Sequence, residues 1–268
     1  MIAYYVVDAF ADAVFQGNPA GVCLLEEDLP DQLMQRIAAE NNLSETAFLR
    51  REGETYRLRW FTPTFEIDLC GHATLASAHV VCTLAEPGRD RVDFLTRSGT
   101  LRTVKRGELY EMTLPSRRPA RVEVTEAVTS ALGVEPLEVW GARDLCVLLE
   151  DEAAVRAFTP DYGGLLTLTD WLGVAVTARG EDCDFVSRYF CPELRLEDPV
   201  TGSSHSSLAP LWGEKLGRTE LTARQLSQRG GTLLCRVGED TVTISGRAAL
   251  YLRGQLLIWP EGKEEPHD

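Results

Sequence analysis

Three short stretches of the chain carry side chains able to move a proton or hold an anion. The first, Asn42-Leu43-Ser44-Glu45, runs directly into the apolar Ala47-Phe48. A carboxyl entering an apolar strand is placed to work as a general acid or base. A capping or surface glutamate would show the same spacing, so position alone leaves both roles open. The second, Cys70-Gly71-His72, sets a thiol and an imidazole around a glycine turn at the head of an apolar run. The third, Glu197-Asp198 followed by Gly202-Ser203-Ser204, sets acids and hydroxyls around another glycine. An aspartate just before a helix is commonly a cap, and Ser203 and Ser204 can be caps, substrate donors or both.

Other chemistries fit poorly. Cys70-x-His72 supplies two metal ligands, fewer than a zinc site wants, and neither Cys-x-x-Cys nor His-Glu-x-x-His occurs. No metal is expected. A Cys70–His72 nucleophile pair is weak because neighbouring turn residues need not face each other. The chain lacks Gly-x-Gly-x-x-Gly and Walker loops, which disfavours dinucleotide and nucleoside triphosphate use.

The second stretch opens a run from Ala73 to Ala85 that is apolar on every side except for small polar residues and His79. A helix of about 14 residues without a polar face belongs inside the protein. It is shorter than the roughly 20 apolar residues that a bilayer requires. Its buried N-terminus brings partial positive charge and free N–H groups to the Cys-Gly-His turn, which suits an anion. Upstream, strands are expected over 2–8 and 21–25, a helix from Pro30 to about Asn41, and strands from Thr46 and over 55–61. Residues 91–97, 99–105 and 108–114 read as a meander.

The pattern then returns. Arg188-Tyr189-Phe190-Cys191-Pro192 mirrors Arg59-Trp60-Phe61-Thr62-Pro63, and Asp198…Gly202 mirrors Asp68…Gly71. Leu145–Glu150 echoes Gly21–Glu26, and the turn at Gly238-Glu239 echoes Gly107-Glu108. Ordered matches at offsets of about 124 to 131 residues imply two copies of one α+β unit. Each unit is expected to wrap strands around one central apolar helix, with Pro210 bending or shortening the second. The boundary falls at Ser116-Arg117-Arg118, giving halves 1–117 and 118–268, and the last strand can return to the first half. Paired halves would bring the two glycine turns together at a cleft, where small-molecule sites concentrate.

With 268 residues, 44% hydrophobic and 25% charged, the composition is that of a globular protein. A formal charge of −14 and a pI near 4.8 argue against nucleic acid or anionic membrane as partners. Met1–Asp8 reads as a first strand and not a signal peptide. The seven cysteines are odd in number and mostly sit in apolar runs, which points to free thiols in a reducing cytoplasm.

Taken together, Gly17–Val22, Asn42–Phe48, Arg59–Leu75 and Glu197–His205 resemble the PhzF-like isomerases of phenazine biosynthesis, which share the diaminopimelate epimerase fold. The resemblance spans nearly the whole chain. It implies a pseudo-symmetric α+β fold with each central helix inside a barrel-like mixed sheet, and a homodimer. It also implies proton transfer without a cofactor, by one glutamate, within a small cyclic or unsaturated carboxylate. That glutamate falls on Glu45. The family's histidine falls on His72, and its second-turn aspartate and serine fall on Asp198 and Ser203. Asn18 and Ser44 are then expected to contact substrate, and Gly71 and Gly202 to donate backbone N–H groups to its carboxylate. The epimerases and racemases of similar fold use one cysteine from each half. Here Cys70 aligns with Thr201, which disfavours two-thiol chemistry. Many relatives carry a cysteine where this chain has Ser206. A non-catalytic metabolite- or partner-binding protein on the same fold is the alternative reading.

Overall fold

The computed structural model describes residues 1–258; positions 259–268, the end of the expected second half, lie outside the described residues. Among the described residues eighteen strands are joined by pairing into one large mixed sheet, and few helices accompany it. Strand Ile2–Ala9 pairs antiparallel with Asn18–Leu25, which runs parallel to Glu45–Glu52. On its other side Ile2–Ala9 pairs with Ala248–Leu256, so the last described strand adjoins the first. Strand Leu109–Pro115 pairs with Thr241–Gly246, a second link between the early and late chain.

The first apolar run forms an α-helix over Gly71–Val80 that widens into a π-helical turn over Val81–Ala85. Every residue from His72 to Val80 except His79 is buried. Its polar side chains survive burial by bonding back along the helix: Thr74 Oγ1 donates to Cys70 O at 2.5 Å, Ser77 Oγ to Ala73 O at 2.7 Å and Thr83 Oγ1 to His79 O at 2.6 Å. The helix packs on the strands beginning at Ile2, Asn18 and Glu45.

The second buried helix begins as a 3-10 turn over Gly202–Ser204 and continues as His205–Leu216. Of the two expected effects of Pro210, bending or shortening, the helix does not show shortening: it runs 12 residues through the proline. Proline has no N–H to give to the residue four positions earlier, Ser206. Instead the backbone N–H of Arg117 takes the Ser206 carbonyl at 2.9 Å. The proline thereby fastens the basic linker to the helix. One apolar cluster runs through both helices, from Ala73 and Leu75 to Leu208 and Trp212.

All seven cysteines lie within the described residues and none is in a disulfide. Among the described residues no helix is long and apolar enough to cross a membrane.

Candidate active site

Strand register decides which side chains meet. Asn18 is the first residue of its strand, and Ala20 pairs with Glu45, the first residue of the neighbouring parallel strand. Both polar groups therefore emerge at the same sheet end. The preceding turn holds Asn18 in place: Gly17 has φ +65°, and a Cβ there would sit 2.1 Å from the Ala9 carbonyl oxygen, so only glycine fits. Gly17 N–H also donates to the Gly230 carbonyl at 2.6 Å, tying this turn to the late chain.

Two arginine braces set the glycine turns. Arg59 grips Glu66 through Nε and Nη2, both at 2.7 Å, across the hairpin leading to Cys70. Arg188 grips Glu197 in the same two-pronged way, at 2.8 and 2.9 Å, beside Asp198. Each guanidinium also lies 5.1 Å over the ring two residues on, Phe61 or Phe190. The turns that follow meet. A Cβ built on Gly71 would lie 3.8 Å from Gly202 Cα and 4.0 Å from Ser203 N. Neither helix start has a side-chain cap, so the hydroxyls of Ser203 and Ser204 do not occupy the terminal N–H groups. Ser204 Oγ donates instead to Thr201 O. Asp198 does not act as a cap, and Asp68, its counterpart in the repeat, is exposed and outside the cleft.

The turns form part of the wall of a cleft of about 730 Å³. Glu45, Ser44, Gly71, His72, Asp198, Gly202 and Ser203 all line it, and they come from both expected halves. Within it Glu45 Oε2 lies 3.1 Å from His72 Nε2, at ion-pair distance but out of hydrogen-bond alignment. His72 Nδ1 lies 3.2 Å from Asn18 Nδ2, which donates to Asp198 Oδ1 at 2.7 Å and to the Val200 carbonyl at 3.0 Å. Thr201 Oγ1 donates to the other Asp198 oxygen at 2.5 Å, and Gln225 Nε2 bonds the Asp198 carbonyl at 2.7 Å. A continuous polar chain thus runs Glu45–His72–Asn18–Asp198. Asn18 is fully buried and stands behind His72, off the cleft wall where it was expected to contact substrate.

The charges are perturbed for identifiable reasons. Burial would pull His72 below its usual value, but the Cys70 sulfur and the Glu45 carboxylate push the other way and prevail, holding it well above. Burial raises the Cys70 thiol too, so the carboxylate is the stronger partner of the ring at neutral pH. Burial also lifts Asp198 to about 6, against the opposing pull of His72. Cys191, which lines the cleft as well, is pushed up by burial to about 12. Both cleft thiols are therefore protonated near neutrality and poor bases.

Glu45, Cys70 and His72 place their ligand atoms within 4.8 Å of one another, a third candidate metal ligand that the sequence did not offer. Glu45 faces Nε2 of the ring, however, while Cys70 Sγ lies 3.5 Å from Nδ1. One ion cannot use opposite nitrogens of the same imidazole, so the arrangement suits proton transfer better than ligation.

Sequence reasoning did not single out Arg143, Asp144 or Tyr189 as site residues. Arg143 lines the cleft, pairs with Asp144 at 2.6 Å and donates to Ser203 Oγ at 3.0 Å. Tyr189 OH donates to Asp144 Oδ1 at 2.9 Å. Tyr189 lies in the repeated Arg-x-Phe strand, which was a usable signal; Arg143 and Asp144 sit in a connector without one.

The whole chain has relatives. It is 49% identical to an uncharacterized isomerase of Pseudomonas aeruginosa over 96% of this chain and 99% of that one. A phenazine biosynthesis protein of the PhzF family from Enterococcus faecalis superposes with a TM-score of 0.94 at 48% identity, covering 96% of this chain and 100% of the other. A hydroxyproline epimerase from Agrobacterium vitis shares the fold at 11% identity and a TM-score of 0.61, over 94% and 91% of the two chains. The model of the phenazine biosynthesis-like proteins matches residues 7–254, and with these relatives it shows that the chain belongs to the PhzC-PhzF family.

Proposed function

We propose that this protein is a cofactor-independent isomerase that moves a proton within a small cyclic or unsaturated carboxylate. The observation that carries the reading is the placement of Glu45 against His72 in a cleft whose wall includes two uncapped helix starts. Relatives named as isomerases support the reaction class.

The substrate carboxylate would sit where Gly71 meets Gly202 and Ser203, held by backbone N–H groups and two helix dipoles. Glu45 would then take a proton from one carbon and return it to another. A single carboxylate suits such a shift, because the base becomes the acid of the second half-reaction. His72, charged and 3.1 Å away, steadies the carboxylate and sets its orientation. Asn18, held by Asp198 and the Val200 carbonyl, packs behind the ring. General acid–base catalysis of this kind contributes about 10²- to 10⁴-fold.

Screening carboxylate metabolites by thermal shift, then incubating hits in deuterium oxide, tests the reading. Deuterium should enter a carbon-bound position of the true substrate. Hits that bind without any exchange would favour a metabolite-binding role.

A further inference from the structure

The cleft must accept an anion against its own charge. Glu45, Glu193 and Asp198 line it, and the protein as a whole carries −14. Helix starts contribute only about half a unit charge each. Among the described residues lining the cleft, Arg143 is the one lysine or arginine.

We propose that Arg143 is the residue that selects an anionic substrate, with Asp144 and Tyr189 as the frame that aims it. This rests on the cleft being the active site. Arg143 spends Nε and Nη2 on the Asp144 carboxylate, and Nη2 also on Ser203 Oγ at 3.0 Å. The Tyr189 hydroxyl also interacts with the guanidinium. Asp144 is only 1% exposed, and Tyr189 OH holds one of its oxygens. The guanidinium is therefore fixed in direction while 27% of the side chain remains open.

Asp144 is the carboxylate that pairs with Arg143, so the guanidinium comes to the cleft already aimed and partly open. Ser203 joins the two parts of this receptor. Its backbone N lies at the meeting of the turns, and its hydroxyl is held by Arg143. Held as an acceptor from Arg143, that hydroxyl keeps its own proton to donate to the substrate. The predicted substrate class is a small acid bound as the anion, with its neutral amide rejected.

Benzoate and benzamide are matched probes, alike in ring size and different in charge. Calorimetry should show benzoate binding the wild-type protein more tightly. Arg143→Gln should weaken benzoate about 10- to 100-fold, the loss of one charge-assisted contact, and leave benzamide unchanged. Arg143→Lys should restore part of the preference. Asp144→Asn, which frees the guanidinium to turn away, should lower it less than Arg143→Gln. Benzoate binding is read without turnover, so wild-type protein that prefers benzoate but exchanges deuterium into no acid would count against the isomerase reading and not against this one. Wild-type protein without preference for benzoate would overturn the proposal. So would an Arg143→Gln protein that binds benzoate normally, or one that loses both probes equally, as a purely structural role requires.

Discussion

The two glycine turns rest on the same scaffold and carry opposite equipment. Both follow an arginine–glutamate brace with a guanidinium over a phenylalanine, and both end at an uncapped helix start. Each has a buried histidine near that start. His72 faces Glu45, and its pKa is held well above the usual value. His205, fully buried, faces the Thr201 carbonyl and the Phe185 ring and is driven down to about 4 by burial. The first imidazole is charged at neutral pH and the second is not. Equivalent backbones have thus been given different jobs by the side chains beside them. In the proposed reading the first turn supplies the histidine beside Glu45, and the second supplies hydroxyls, a contact to Arg143 and the acid that anchors Asn18.

Substitutions should separate these jobs. His72→Asn removes the cation beside Glu45 and should slow deuterium exchange about 100-fold. His205→Asn should leave exchange close to wild type and show itself in denaturant unfolding, with a cost of about 1–3 kcal/mol from an unsatisfied buried group. Equal loss of exchange in both variants would dissolve the comparison.

The braces should differ less. Arg188 adds carbonyl acceptors at Val155, Arg156 and Phe158 to its glutamate, whereas Arg59 adds the exposed Asp31. Arg188→Ala is therefore expected to destabilise more than Arg59→Ala. The two losses should be of order 2–4 and 1–2 kcal/mol, partial exposure being allowed for. Chemical denaturation of both variants ranks them, and the reverse order would break the account of the second brace.

The smallest effect should be a pH inflection. Asp198 titrates near 6, above an ordinary aspartate, so it holds its proton below that pH and releases it above. Protonation removes the anion that accepts from Asn18 and Thr201. Exchange should decline as pH falls through about 6. Asp198→Asn should abolish that inflection, and an unchanged profile would separate Asp198 from the working network.

Much of this was legible in the sequence because it depends on local pattern. Apolar residues all round Ala73–Ala85 required a buried helix, and the repeated Arg-x-Phe strands announced matching turns. The contacts that complete the site depend on tertiary register. Asn18 lay outside the strand expected over 21–25, yet it begins a strand whose pairing brings it behind His72, 54 residues away. Its partnership with Asp198 spans 180 residues. Pro210 read as bending or shortening its helix because nothing local showed that Arg117 would donate to the freed carbonyl. Arg143 carried no signal, since its meaning arises only from the buried Asp144 beside it and Ser203 across the cleft.

The most direct measurement is deuterium incorporation into a bound substrate by wild-type and Glu45→Gln proteins at saturating concentration. Glu45→Gln should fold, bind the carboxylate with little change and incorporate no deuterium while wild type does. Exchange that persists in Glu45→Gln would contradict it.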